Sequence, residues 1–203
     1  METTPANSIE GDSPERDKRA RILQGALSVF LAYGFSRTTM DDIARAVGMS
    51  RPALYLVFRN KTDIFRAGAA MMLEQSLETA ARILRDDDGF VDRMMRAIDG
   101  AVLSMMREIA ASPHGSELLD LKTSIAADVA QRWRQELGRH VCRAIEKEAQ
   151  RRDFDLAGHA LSAQGLADML LDGLEGAKAR TPDPDQQLQA VRGLVTVIDL
   201  VLR

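Results

Sequence analysis

Three histidines (His114, His140 and His159), one cysteine (Cys142) and the run Asp86-Asp87-Asp88-Gly89 are the side chains best suited to metal binding or acid–base chemistry. Their spacing supports neither. The histidines lie far apart, His140 and Cys142 lack further ligands at zinc spacing, and the acidic run lacks the later ligands of a calcium loop. No glycine-rich phosphate loop or serine elbow is present. The reading is therefore a non-enzyme with no catalytic residue, no metal and no cofactor, in which Cys142 serves as a small buried hydrophobe. What remains is electrostatic chemistry. Residues 14–65 hold nine Lys/Arg against five Asp/Glu, and the rest of the chain holds eighteen against twenty-five within a net charge of −3. Only the N-terminal part suits a polyanion.

The elements that would position those cations read as helices. Aromatic content is 4% and β-branched residues rarely cluster, which favours an all-α fold. Ser13-Pro14 opens a first helix that Gly34 stops, with Ile22, Leu23, Ala26, Leu27 and Phe30 as its apolar stripe. Thr39 to Asp42 forms a capping box at the start of a short helix, and Ser50 caps a third helix with Pro52 in its first turn. Asn60 starts a fourth helix running to about Leu84. Residues 39–58, TMDDIARAVGMSRPALYLVF, thus have the spacing of a helix-turn-helix. Ala44 permits a close crossing, Gly48 the positive φ of the turn, and Ile43, Met49, Leu54 and Phe58 a miniature core.

Residues 16–66 resemble the N-terminal domain of the TetR family. The resemblance is carried by Gly34-Phe35 with Thr38-Thr39, Asp42-Ile43-Ala44, Gly48-Met49-Ser50, and Leu54-Tyr55 followed by Phe58 and Lys61. It implies a homodimeric transcription regulator that binds double-stranded operator DNA. On this likeness Thr39, flanked by Arg37 and Thr38, holds a phosphate at the start of the second helix. Ser50, Arg51, Pro52 and Ala53 enter the major groove, Arg51 toward guanine O6 and N7 and Ala53 toward a thymine methyl. Tyr55 and Lys61 match backbone-phosphate contacts. Leu56 and Val57 stand where the family usually has an aromatic residue and then His; Leu56 is kept as a candidate contact.

Beyond residue 66 the pattern stays helical, broken at 86–89, 112–115, 151–153 and 181–184, for about nine helices in all. A stripe over 89–111 includes Met94, Ile98, Val102 and Met105, and a helix over about 122–150 adds Val129 and Trp133. These six residues are the candidate pocket for a small lipophilic effector, because methionine suits adaptable apolar surfaces. The last two helices combine apolar stripes with glycines and alanines, and the resemblance implies dimerisation through them. The expected organisation is a disordered segment 1–13, a DNA-binding domain 14–65 and a ligand-binding and dimerisation domain 66–203. The polar, acidic start and the lack of any apolar run near 18 residues point to a cytoplasmic protein. The functional expectation is a repressor released by its effector. A ligand-independent activator or architectural DNA-binding protein is the alternative, and a helical enzyme a further one.

Overall fold

The computed structural model describes residues 12–203. The segment 1–13, expected to lack structure, lies outside the described residues except that the first helix already begins at Asp12. Helices come in the order α1 (Asp12–Tyr33), α2 (Met40–Ala46), α3 (Arg51–Tyr55), α4 (Lys61–Ile83), α5 (Phe90–Ile98), α6 (Ser104–Ala110), α7 (Gly115–Ile125), α8 (Ala127–Arg151), α9 (Ala163–Arg180) and α10 (Pro184–Val201). A π-helical turn, Asp99–Leu103, joins α5 to α6 without a break. Taking Phe90 to Ala110 as one helix gives the expected nine, and there is no strand among the described residues. None of these helices is long and apolar enough to cross a membrane.

Contacts divide the chain into two compact units, the first running to Met71 and including Ser112–Ala126, the second comprising Met72–Ala111 and Ala127–Arg203. The boundary expected at residue 65 thus falls six residues later, and α7, expected in the C-terminal domain, packs with the first unit. In that unit Phe30, Phe35 and Phe65 form a ring cluster with centroids 5.3 to 6.1 Å apart. Ile22, Ala26, Ile43, Leu54 and Ile64 close around it, each at most 1% exposed. Burying each of the isoleucines and the leucine contributes roughly 1.5–3 kcal/mol. Gly34 (φ 84°) and Gly48 (φ 68°) adopt the left-handed backbone that ends α1 and turns the chain between α2 and α3.

The break between α7 and α8 has a tertiary cause. Nothing in Thr123-Ser-Ile-Ala-Ala-Asp-Val interrupts a helix by propensity, so one helix over 122–150 was expected. The Ile125 carbonyl, which an unbroken helix would use for Val129 N–H, instead accepts from the Arg66 guanidinium.

In the second unit α8 packs on α9, α9 on α10 and α10 on α5. Met94, Ile98, Val102, Leu137, Val141, Ile145, Leu170, Val195 and Ile198 fill its core. The expected stripe fades after Leu103, because the extra residue of the π turn rotates α6 away from the face that α5 buries. Met105 is only half-buried and α6 has no fully buried residue. A buried charge network ties the helices together: Arg93 meets Glu148 at 3.5 Å, Arg152 meets Glu148 and Asp199 at 2.6 Å each, and Arg151 closes on Glu148. Glu148 is 1% exposed. Hydrogen bonds from Arg151 hold its carboxyl below the usual range against the opposing effect of burial, with Arg152 adding to them.

Candidate nucleic-acid interface

The turn between α1 and α2 presents Arg37 to solvent and is fastened from three sides. Thr38 Oγ1 donates to Gly34 O at 2.6 Å from a side chain that is 2% exposed. Lys61 Nζ donates to the carbonyls of Phe35 (2.8 Å), Ser36 (3.3 Å) and Thr38 (3.0 Å) and lies 4.6 Å from the Phe35 ring centroid. Glu117 of α7 accepts from both the Ser36 amide (2.8 Å) and its hydroxyl (2.6 Å). Those bonds hold the Glu117 carboxyl below its ordinary pKa. A Cβ at Gly34 would sit 2.5 Å from Glu117 Oε2 and 3.1 Å from His114 Nδ1, so a side chain there would displace these two, while the φ of 84° itself favours glycine.

The expected capping box is present. Asp42 N–H donates to Thr39 Oγ1 at 3.2 Å while Asp42 Oδ2 accepts from Thr39 N–H at 3.0 Å and from its hydroxyl at 2.7 Å. Asp42 and Asp41, the latter 3.1 Å from Arg45, place negative charge on this first turn. In α3 Ser50 Oγ accepts from Ala53 N–H at 3.3 Å, with Pro52 in the first turn. Leu54 faces the core at 0% exposure and Ala53 is half-buried. Arg51, Pro52, Tyr55 and Leu56 point outward together, Leu56 at 89% exposure, and the Arg51 guanidinium lies 5.7 Å from the Tyr55 ring centroid.

The ten residues singled out for DNA contact therefore sort into three groups. Arg37, Arg51, Pro52, Tyr55 and Leu56 project into solvent. Thr39 and Ser50 are exposed but spend their hydroxyls on caps, and Ala53 sits between. Thr38 and Lys61 face inward, where they hold the turn by its carbonyls; a phosphate would have to compete with those carbonyls for Lys61. Glu117 and Ser36 were not anticipated: a bond across 81 residues leaves no local spacing to read.

The six pocket residues come together, but mostly as core. Met94, Ile98, Val102 and Trp133 are buried, and Val129 and Met105 pack against them half-exposed. Trp133 Nε1 donates to Ser76 Oγ at 3.1 Å, and Ser76 Oγ donates to Ala101 O in the π turn. Met105 opens onto a cleft of about 170 Å³ with Met72, Gln75, Ser76, Thr79 and Ser104, whose walls are more polar than an apolar stripe implies.

The comparisons with known proteins agree with this geometry. Residues 22–67 match the family described as bacterial regulatory proteins, tetR family. The chain is 28% identical over 189 residues to the HTH-type transcriptional repressor Rv1474c of Mycobacterium tuberculosis, covering 88% of this chain and 90% of that one. It is 32% identical over 97 residues to TtgW, an uncharacterized HTH-type transcriptional regulator of Pseudomonas putida, covering 46% of this chain and 72% of that protein. Among solved structures, Thermus thermophilus FadR, a TetR-family repressor in complex with lauroyl-CoA, superposes with a TM-score of 0.59 at 17% identity over 90% of this chain and 94% of that one. A capped two-helix reading head, the family match over that head and a likeness running beyond it converge: the chain belongs to the TetR family of bacterial transcription regulators and binds DNA through its helix-turn-helix.

Proposed function

We propose that the protein is a homodimeric repressor whose two α3 helices enter successive major grooves of an operator about 34–36 Å apart, and that a small lipophilic effector releases it. The outward face of α3, where Arg51, Pro52, Tyr55 and Leu56 project together, carries the reading. Arg51 offers two donors to a guanine edge, Tyr55 a phosphate contact, and Leu56 an apolar surface for a thymine methyl. Arg37 adds a phosphate contact beside it. The repressor acts in the cytoplasm, where the chromosome lies.

Dimerisation belongs to α9 and α10. Met169, Val197 and Leu200 are 39%, 50% and 56% exposed, unusual for apolar side chains on such helices. At helical spacing Met169 shares a face with Gly165 and Gly176, and Val197 and Leu200 share one with Gly193; an added Cβ at Gly176 or Gly193 meets nothing within 4 Å. Small residues beside exposed apolar ones allow two pairs of helices to pack closely.

The effector reading rests on α4. It runs unbroken from Lys61, at the fastened turn, to Ile83, and its residues Met72, Ser76 and Thr79 line the cleft beside Met105. A ligand there that favours one position of α4 changes DNA affinity by its differential affinity for the two positions, typically 1–3 kcal/mol. The lauroyl-CoA bound by the Thermus thermophilus repressor supports a lipophilic effector. The test is selection of operator sequences from random DNA, followed by titration with fatty acyl and other lipophilic compounds while Trp133 fluorescence and operator binding are read together. Both should change over one concentration range. Fluorescence that saturates while DNA affinity holds constant removes the switch and leaves a ligand-independent regulator.

A further inference from the structure

Many cations of the second unit are paired locally. Arg96 meets Asp86 and Asp88, Arg107 meets Asp99 and Asp185, Arg134 meets Asp172, and Arg203 meets Asp199. One cleft brings together three that are not. It has a volume of about 190 Å³ and is lined by Ala81, Leu84 and Arg85 at the end of α4 and by His140, Arg143, Ala144 and Lys147 along α8. Among the described residues no carboxylate lies within 4.0 Å of the charged nitrogens of Arg85, Arg143 or Lys147. Glu136, the acid that bears on His140, is paired with Arg139 at 2.6 Å. This concentration of positive charge sits in the part of the chain where acids outnumber bases.

Like charges held at one site repel one another, and the repulsion persists unless a counter-ion neutralises it. The potential is felt inside the cleft. His140 has its pKa lowered first by burial, then by Arg143, with Arg85 and Arg139 adding and Glu136 opposing. The floor differs from the wall: Ala81, Leu84 and Ala144 are buried apolar residues. A volume below the 300–1,000 Å³ of pockets that enclose whole ligands suits a head group with a short apolar stem. Three cations lining one cleft match the several acceptor oxygens and roughly double charge of a phosphate monoester better than a single-charged carboxylate.

We propose that this cleft is a binding site for a phosphate monoester, with Arg85, Arg143 and Lys147 clasping the phosphate and Ala81, Leu84 and Ala144 receiving the first carbons of its stem. The proposal is independent of the effector reading above, which concerns the cleft beside Met105.

Calorimetric titration of the full chain with butyl phosphate, inorganic phosphate and butyrate tests it. Butyl phosphate should bind several-fold more tightly than inorganic phosphate, and both more tightly than butyrate. The double variant Arg85→Gln/Arg143→Gln, which alters only exposed side chains, should lose at least about tenfold in affinity while its circular dichroism and Tm stay unchanged; Arg180→Gln should bind like the wild type. Equal binding of both phosphates, still lost in the double variant, upholds the charged wall and makes free phosphate the ligand. Binding that survives the double variant, that butyrate matches, or that is absent in the wild type overturns the proposal. So does a double variant that keeps butyl phosphate but loses affinity for a random 20-base-pair duplex, which would make the cleft a nucleic-acid contact.

Discussion

Glu117 and Ser36 are joined by two hydrogen bonds, from the serine amide at 2.8 Å and its hydroxyl at 2.6 Å, so the carboxylate of α7 holds the turn that opens the helix-turn-helix. Glu117→Ala should weaken operator binding more than it weakens the fold. The expected loss of stability is about 1 kcal/mol by urea unfolding, with a several-fold fall in DNA affinity by fluorescence anisotropy. Because the folded carboxyl has a lowered pKa, its contribution is complete above the ordinary glutamate range and disappears as pH falls through the folded value. Unchanged operator affinity in a folded Glu117→Ala protein would show that α7 does not position the reading head.

Lys61 offers a sharper contrast. A lysine bound to phosphate would, on removal, weaken binding to all DNA and reduce the salt slope by about 1. A lysine that caps the Phe35, Ser36 and Thr38 carbonyls should cost stability, about 1.5–3 kcal/mol for hydrogen bonds to a charged group. Lys61→Met is expected to lower Tm and leave the salt slope of the folded protein unchanged.

On α3 the specificity falls to Arg51. Arg51→Ala should cost about 1–3 kcal/mol on the preferred operator and relax selection at one base pair. Leu56 is 89% exposed, so Leu56→Ala should leave stability within about 0.5 kcal/mol. Any loss of DNA affinity it causes is then a lost contact at the DNA.

Dimerisation separates exposed from buried members of the same helices. Leu200→Arg or Val197→Arg should give a folded monomer by analytical ultracentrifugation. Leu170 and Ile198, on the core-facing stripes of the same two helices, are each 0% exposed within one chain; Leu170→Arg should unfold it by burying an unpaired charge. A wild type that is monomeric at micromolar concentration would remove the dimer and with it the reason for a palindromic operator.

The Arg93, Glu148, Arg152 and Asp199 network should set the acid limit of the second unit. Hydrogen bonds from Arg151 and Arg152 lower the Glu148 pKa, and for Asp199 those from Arg152 and Arg203 outweigh the opposing effect of burial. Stability from both is present above the ordinary carboxylate range and is lost as pH falls through the lowered folded values. Glu148→Ala, which leaves the buried Arg93 without its carboxylate, should cost about 3–5 kcal/mol. The checks are Tm measured across pH 2 to 7 and a flatter acid limb in Glu148→Gln.

Legibility in the chain tracked the range of the interactions. The capping box at Thr39, the Ser50 cap, the glycine turns and the length of α4 depend on neighbours within four residues, and all were legible. Amphipathic stripes located the core at Met94, Ile98, Val102 and Trp133. They could not show the π turn, whose one added residue moves Met105 off the stripe. The α7–α8 break and the Glu117 anchor were illegible because each is made by a partner distant in sequence, Arg66 in one case and Ser36 in the other. Lys61 was identified as functional from its place in the motif, but its type does not distinguish a phosphate from three backbone carbonyls.

The first unit is discontinuous, running to Met71 and completed by Ser112–Ala126. During synthesis the reading head emerges from the ribosome before the segment that anchors its turn. At 5–20 residues per second the gap from Met71 to Ala126 lasts roughly 3–11 s. For that interval the nascent head has Lys61 but not Glu117, so its final conformation has to wait for a piece of chain made only after the ribosome has passed through part of the other unit.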